Sequence, residues 1–131
     1  MFIRTAILAT AALAMTLPAA FADSYASGAV KSMKTDKGEV LTNAKGMTLY
    51  TYDKDSKGKS SCYGQCATNW PPLMASSSAN PHGDFTLVTR KNGNKQWAYD
   101  GKPLYLWKND TKPGDMTGAG MGGVWHVAME E

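Results

Sequence analysis

The sequence predicts an all-β fold: two tandem antiparallel β-meander repeats packed as a small sandwich or barrel-like domain. Three observations predict it. A ten-residue stretch recurs without a gap 55 positions on, so that Gly46-Met47-Thr48-Leu49-Tyr50-Thr51-Tyr52-Asp53-Lys54-Asp55 returns as Gly101-Lys102-Pro103-Leu104-Tyr105-Leu106-Trp107-Lys108-Asn109-Asp110. The same offset carries Gly38 onto Gly93, Lys57 onto Lys112 and Trp70 onto Trp125. Short β-prone runs alternate with turn signals at roughly 8–12-residue spacing, and no stretch sustains a helical period. Two copies in register imply one supersecondary unit used twice, each copy covering the apolar face that the other cannot bury alone.

The elements follow in order. Residues 1–22 read as a signal peptide: Arg4 supplies the positive start, Thr5 to Leu17 the apolar run, and Ala20-Phe21-Ala22 the small-x-small cleavage pattern. The run is too short and wrongly flanked for a membrane span, so the expectation is a bacterial periplasmic or secreted protein that begins at Asp23. The alternative is a leader that stays attached as an anchor. Asp23 to Ala29 is small and polar, a frayed lead-in to a single domain over 23–131, with repeats at about 30–75 and 85–130.

In the first repeat Val30 to Thr35 is a strand, Asp36-Lys37-Gly38 a hairpin turn, Glu39 to Thr42 the returning strand, and Met47 to Tyr52 the third. In the second, Phe85 to Arg90, Lys95 to Tyr99 and Lys102 to Trp107 repeat the pattern. Asn92-Gly93 and Asp100-Gly101 mark turns that need positive φ. Each third strand is followed by a polar, Gly-rich excursion that ends in tryptophan. Cys66 to Trp70 makes a helical turn at most, stopped by Pro71-Pro72. Trp125 to Met129 is the last strand, and Ser76 to Gly83 links the copies.

The net charge of +3 falls to +2 once Arg4 leaves with the leader, and the lysines are interspersed with Asp, Ser, Gly and Asn. That scattered excess argues against nucleic acid or an anionic membrane as partner. The expected partner is an envelope protein or a small ligand, with no stable membrane anchor after cleavage.

Within the repeated strand, Leu49 and Thr51 face one way and Tyr50 and Tyr52 the other; Leu104/Leu106 and Tyr105/Trp107 repeat the split. An aspartate, Asp55 or Asp110, stands three residues beyond each aromatic pair. In one reading the aromatics pack beneath the Gly-rich excursions while the aspartates cap loop amides. In the other, Tyr50, Tyr52, Asp55, Tyr105, Trp107 and Asp110 form a ligand platform, with rings stacking on a flat or cationic group that a carboxylate fixes.

These residues resemble a known family, the bacterial secreted repeat of unknown function, also described as predicted lipoproteins with a Y-x-[FWY]-x-x-D motif. Tyr50-Thr51-Tyr52-Asp53-Lys54-Asp55 and Tyr105-Leu106-Trp107-Lys108-Asn109-Asp110 both match that motif. Cys62-Tyr63-Gly64-Gln65-Cys66-Ala67, Trp70-Pro71-Pro72-Leu73, Tyr99 to Tyr105 and Gly122-Gly123-Val124-Trp125 support it. The resemblance implies an exported two-repeat domain of the cell envelope and brings no established activity. This sequence departs from the lipoprotein members in one respect. It has no lipobox cysteine after the leader, its first cysteine being Cys62, so a soluble protein is expected.

Cys62 and Cys66 pair most simply as a disulfide in an oxidising compartment, the small ring contributing about 2 kcal/mol. Metal or haem ligation and thiol redox chemistry are the alternatives. Met116, Met121 and His126 form a possible soft-metal set suited to copper, Met121 falling opposite Cys66 in the repeat alignment. They lack the tight spacing of a zinc or blue-copper signature, and no cofactor is expected. Asp53-Lys54-Asp55-Ser56-Lys57-Gly58 opens like a calcium loop, but Lys57 and Gly64 fall where ligands are needed. No nucleophile elbow, zinc-protease motif or phosphate loop is present, so no catalytic residue is assigned. The function expected is a non-enzymatic binding or interaction module, with a copper- or haem-associated redox accessory or a structural envelope protein as alternatives.

Overall fold

Turn chemistry sets the hairpins. In the computed structural model, which describes residues 21–131, strand β2 (Val30–Thr35) pairs with β3 (Gly38–Asn43), Thr35 lying opposite Gly38. The turn thus needs only Asp36 and Lys37, and Gly38 leaves it at φ 117°. Thr35 Oγ1 locks it by donating to the Gly38 carbonyl and accepting from Lys37 N–H. The second hairpin, β5 (Phe85–Thr89) with β6 (Lys95–Tyr99), closes between Arg90 and Asn94 and is one residue longer. The next turn, Asp100-Gly101 with φ of 51° and 79°, is one residue shorter than its counterpart.

These two differences cancel, which is why the sequence repeat has no gap. Leu49 N–H bonds the Leu41 carbonyl and Leu104 N–H bonds that of Trp97. Trp97, not Gln96, is therefore the equivalent of Leu41. A one-residue slip moves a strand's side chains to the other face, so the shift puts Trp97 into the core.

Both repeats contribute to the central layer. Strand β4 (Tyr50–Tyr52) pairs antiparallel with β8 (Trp125–Val127) from the other repeat, Tyr52 opposite Trp125. The reciprocal run of Asn69 to Leu73 lies along Leu104 to Lys108, with N–H···O distances of 2.7–3.0 Å. At the centre Tyr50 and Tyr105 exchange both backbone bonds, at 2.8 and 2.9 Å. An approximate twofold passes between them. The outer sheets are β1-β2-β3, with β1 at Phe21–Tyr25, and β5-β6-β7, with β7 at Lys102–Pro103. Among the described residues every ladder is antiparallel and no barrel closes, so the fold is all-β and sandwich-like.

Because side chains alternate across a strand, this central layer carries a core on each face. One holds Leu41, Leu49, Leu73, Trp97, Leu104 and Ala128. The other holds Tyr50, Cys62, Trp70, Tyr105 and Trp125, with Tyr52 and Trp107 packed against it.

Three local expectations change. The third strands are shorter than read, Tyr50–Tyr52 and Lys102–Pro103, because the chain changes partners within each. Thr48 bridges to Thr42, while Tyr105 bridges to both Tyr50 and Pro72. The repeats are joined by hydrogen bonds as well as by packing of their faces. The expected lead-in is ordered: β1 is followed by a 3-10 turn at Ala26–Gly28, Tyr25 stacks on Phe85 at 5.1 Å and its hydroxyl donates to Glu130. The helical turn falls at α1 (Gln65–Asn69). The signal-peptide reading falls mainly on residues outside those described. Among the described residues no helix is long and apolar enough to cross a membrane.

Candidate functional site

The repeated motif folds into two reciprocal latches. Tyr50 from the first repeat donates its hydroxyl to Asp110 of the second at 2.6 Å, and Tyr105 donates to Asp55 of the first at 2.7 Å. Each aspartate uses its other oxygen on the loop that follows it: Asp55 accepts from Ser61 N–H, and Asp110 from Thr117 N–H and hydroxyl. Tyr50 and Tyr105 are 0% exposed. Burial first, then the carboxylate beside each hydroxyl, pushes both phenols well above their ordinary range. Burial also raises the Asp55 carboxyl, against the opposing pull of Ser61 N–H, the Tyr105 hydroxyl and Arg90. The motif tyrosine of each repeat is thus held by the motif aspartate of the other, a crossing that periodicity cannot reveal.

Between the latches runs a column of four stacked rings. Trp107 lies on Trp70 at 4.1 Å, Trp70 on Trp125 at 3.8 Å and 3°, and Trp125 on Tyr52 at 4.1 Å. Tyr50 meets Trp70 edge-on at 5.3 Å, and Tyr105 meets Trp125 edge-on at 5.2 Å. Such pairs contribute about 0.5–1.5 kcal/mol each beyond their burial. The excursion approaches closely at Gly118, where a Cβ would come within 2.7 Å of Trp70 Cη2. Trp107 and Tyr52, the end rings, are half-buried.

The two latches are not equivalent. Arg90, which the sequence places only as the last residue of a strand, is buried. Its guanidinium donates to Ser60 Oγ at 3.1 Å, Gln96 Oε1 at 2.8 Å and the Cys62 carbonyl at 2.7 Å, and lies 4.3 Å from the Tyr63 ring. Ser60 Oγ in turn lies 2.6 Å from the Tyr105 hydroxyl. The Cys62–Cys66 disulfide is present, and it shapes the loop whose carbonyl holds Arg90. A polar side chain at position 96, inside a run of buried strand residues, was the one available signal for this network.

The remaining sequence candidates separate. His126 Nε2 lies 2.8 Å from Asp53 Oδ2 in an exposed pair. Met116 is half-buried on the second excursion and Met121 is 41% exposed. Cys66 sulfur is committed to Cys62. Among the described residues no three His, Cys, Asp or Glu side chains group into a metal-ligand set.

A cleft of about 610 Å³ opens beside the Tyr52 end of the column and draws on both repeats. Tyr52, Pro103 and Val127 supply apolar lining. Asp53, Asp55, Asp100 and Glu131 supply carboxylates, against Lys57 and Lys102. Of the sequence-predicted binding residues, Tyr52 and Asp55 reach this cleft, whereas Tyr50 and Tyr105 lie in the interior behind it. A second cleft of about 780 Å³ lies between the N-terminal segment and the linker, around Tyr25, His82 and Phe85.

The profile of the family described as secreted repeat of unknown function matches the chain twice, over residues 31–74 and 86–129. The chain belongs to that family, and each match supplies one tyrosine and one aspartate to the pair of latches. No curated protein and no solved structure matches it.

Proposed function

From that membership we propose that the protein is an exported, periplasmic, non-enzymatic binding module whose cleft takes a small flat cation. The observation that carries this reading is the cleft at the end of the aromatic column. Tyr52 has one face on Trp125 and lines the cleft, so an incoming planar group would extend the stack by one ring. A cation over such a face gains about 0.5–2 kcal/mol, more as water is excluded. Four carboxylates, one of them Asp53 in contact with the His126 ring, against two ammonium groups favour a positively charged occupant. The volume lies within the range of small-molecule sites, roughly 300–1,000 Å³. The motif carboxylates Asp55 and Asp110 are engaged by tyrosine hydroxyls and loop amides, which supports a scaffold role rather than acid–base chemistry.

The test is titration of the purified protein with an acridinium cation, a neutral planar analogue and a planar sulfonate, read by tryptophan quenching and calorimetry. Stoichiometric binding of the cation, lost in Tyr52→Leu, is expected. Equal binding of all three probes, or of none, would overturn the reading. Parallel titrations with Cu(I), Cu(II) and haem test the competing redox-accessory function; stoichiometric uptake lost on Met121→Ala or His126→Ala would replace the proposal.

A further inference from the structure

We propose that the aromatic column is a one-electron redox site, in which an electron vacancy entering at the surface rings comes to rest on Tyr50 with its proton on Asp110. The inference rests on the column and its two latches and is independent of what the cleft binds.

Tryptophan and tyrosine are among the side chains most readily oxidised by one electron. Here four of them form a continuous path with neighbouring centroids 3.8–4.1 Å apart and a half-buried ring at each end. A vacancy made at Trp107 or Tyr52 can therefore move by contact steps to Trp70 and Trp125. Each of these meets a buried tyrosine edge-on, at 5.3 and 5.2 Å.

A phenol gives up an electron at neutral pH only if its proton has somewhere to go. Both tyrosines already donate to a carboxylate, at 2.6 Å for Tyr50 to Asp110 and 2.7 Å for Tyr105 to Asp55. No carboxylate among the described residues bonds the hydroxyl of Tyr52, the tyrosine in the column itself.

A diffusible one-electron oxidant, of the peroxide-derived radical or high-valent metal class, takes one electron from a tryptophan ring and is reduced by one. Tyr50 returns an electron to that ring, its O–H bond breaks, and the proton forms a bond to Asp110. What remains is a neutral tyrosyl radical beside a neutral carboxylic acid.

The repeats are not equivalent as resting places. The vacancy adds one positive charge to whichever latch holds it. At the Tyr105 latch Ser60 Oγ links the hydroxyl to the buried Arg90 guanidinium, which opposes that charge. At the Tyr50 latch the hydroxyl accepts instead from Gly118 N–H, and the charged group acting on it from outside the latch is Asp115, itself paired with exposed Lys112, so among the described residues no buried cation opposes the vacancy there. The column is close to symmetric, so each latch is the internal control for the other.

Pulse radiolysis of the disulfide-intact protein with azide radical, which oxidises tryptophan, tests this. Tryptophanyl and tyrosyl radicals are followed by their visible absorption and by freeze-quench electron paramagnetic resonance. The tryptophanyl signal should convert to tyrosyl in the wild type, in Tyr105→Phe and in Tyr52→Phe. In Tyr50→Phe the tyrosyl signal should be lost and the tryptophanyl signal should persist. Asp110→Asn, which keeps an acceptor but removes the base, should slow the conversion, while Asp55→Asn should not. In D2O the wild-type conversion should slow, a readout that needs no variant to fold. Conversion that is absent in the wild type, insensitive to D2O, or equally reduced by Tyr50→Phe and Tyr105→Phe would overturn the proposal.

Discussion

Alkaline unfolding gives the most direct measure of the two latches. Tyr50 and Tyr105 are fully buried, and their phenols are held well above the ordinary value of about 10. A group raised in this way contributes its full stability below the unfolded-state pKa. The contribution is then lost as pH climbs toward the folded-state value, because only the unfolded chain releases the proton. Each tyrosine should therefore remove about 1.4 kcal/mol per pH unit above about pH 10, and the pair about 2.7. A domain of this size has about 5–15 kcal/mol in all, so one unit of alkaline pH removes a large share.

Tyr50→Phe changes two quantities in opposite directions. Near neutral pH it loses a hydrogen bond to a carboxylate, which costs about 1.5–3 kcal/mol. Above about pH 10 it halves the slope contributed by the latches, so its stability should meet the wild-type value between about pH 11 and about pH 12. Urea midpoints by far-ultraviolet circular dichroism at intervals from about pH 8 to about pH 11.5 would trace both curves and their approach. Tyr105→Phe should behave alike, and the double variant should lose both slopes. If all three variants run parallel to the wild type, these phenols ionise as freely folded as unfolded, and the buried latch is wrong.

Two further outcomes follow from the second core. Trp70 and Trp125 each touch three rings, so either change to alanine should cost about 3–5 kcal/mol by chemical denaturation. As direct neighbours their double variant should cost less than the sum, and strict additivity would contradict the stack. Reducing Cys62–Cys66 should cost about 2 kcal/mol and leave the fold standing, but Arg90→Met should cost less in the reduced protein than in the oxidised one, because the Cys62 carbonyl is then already loosened. Equal cost of Arg90→Met in both states would show that the bridge does not hold that carbonyl in place.

Much of this was legible in the chain because it is local. Val30–Thr35 and Lys95–Tyr99 appear where β-prone residues between turn signals put them. The alternation of Leu49 with Tyr50 and of Leu104 with Tyr105 does divide the apolar residues between two cores. The motif aspartates do accept from loop amides, and a turn-forming residue advertises that by position. The ordered segment before Val30 was not legible. Its stability comes from Tyr25 against Phe85 and Glu130, residues 60 and 105 positions away.

What the sequence by itself determined is the repeat, the all-β class and the face on which each aromatic stands, because period and turn chemistry are properties of neighbouring residues. Tertiary structure alone decided that each tyrosine is held by the other repeat's aspartate, that Arg90 is buried beside one latch and not the other, and that Tyr52 ends a four-ring column at an open cleft. Those choices depend on how two nearly identical units cross. An offset of 55 residues says that two halves match and is silent on which half supplies the partner.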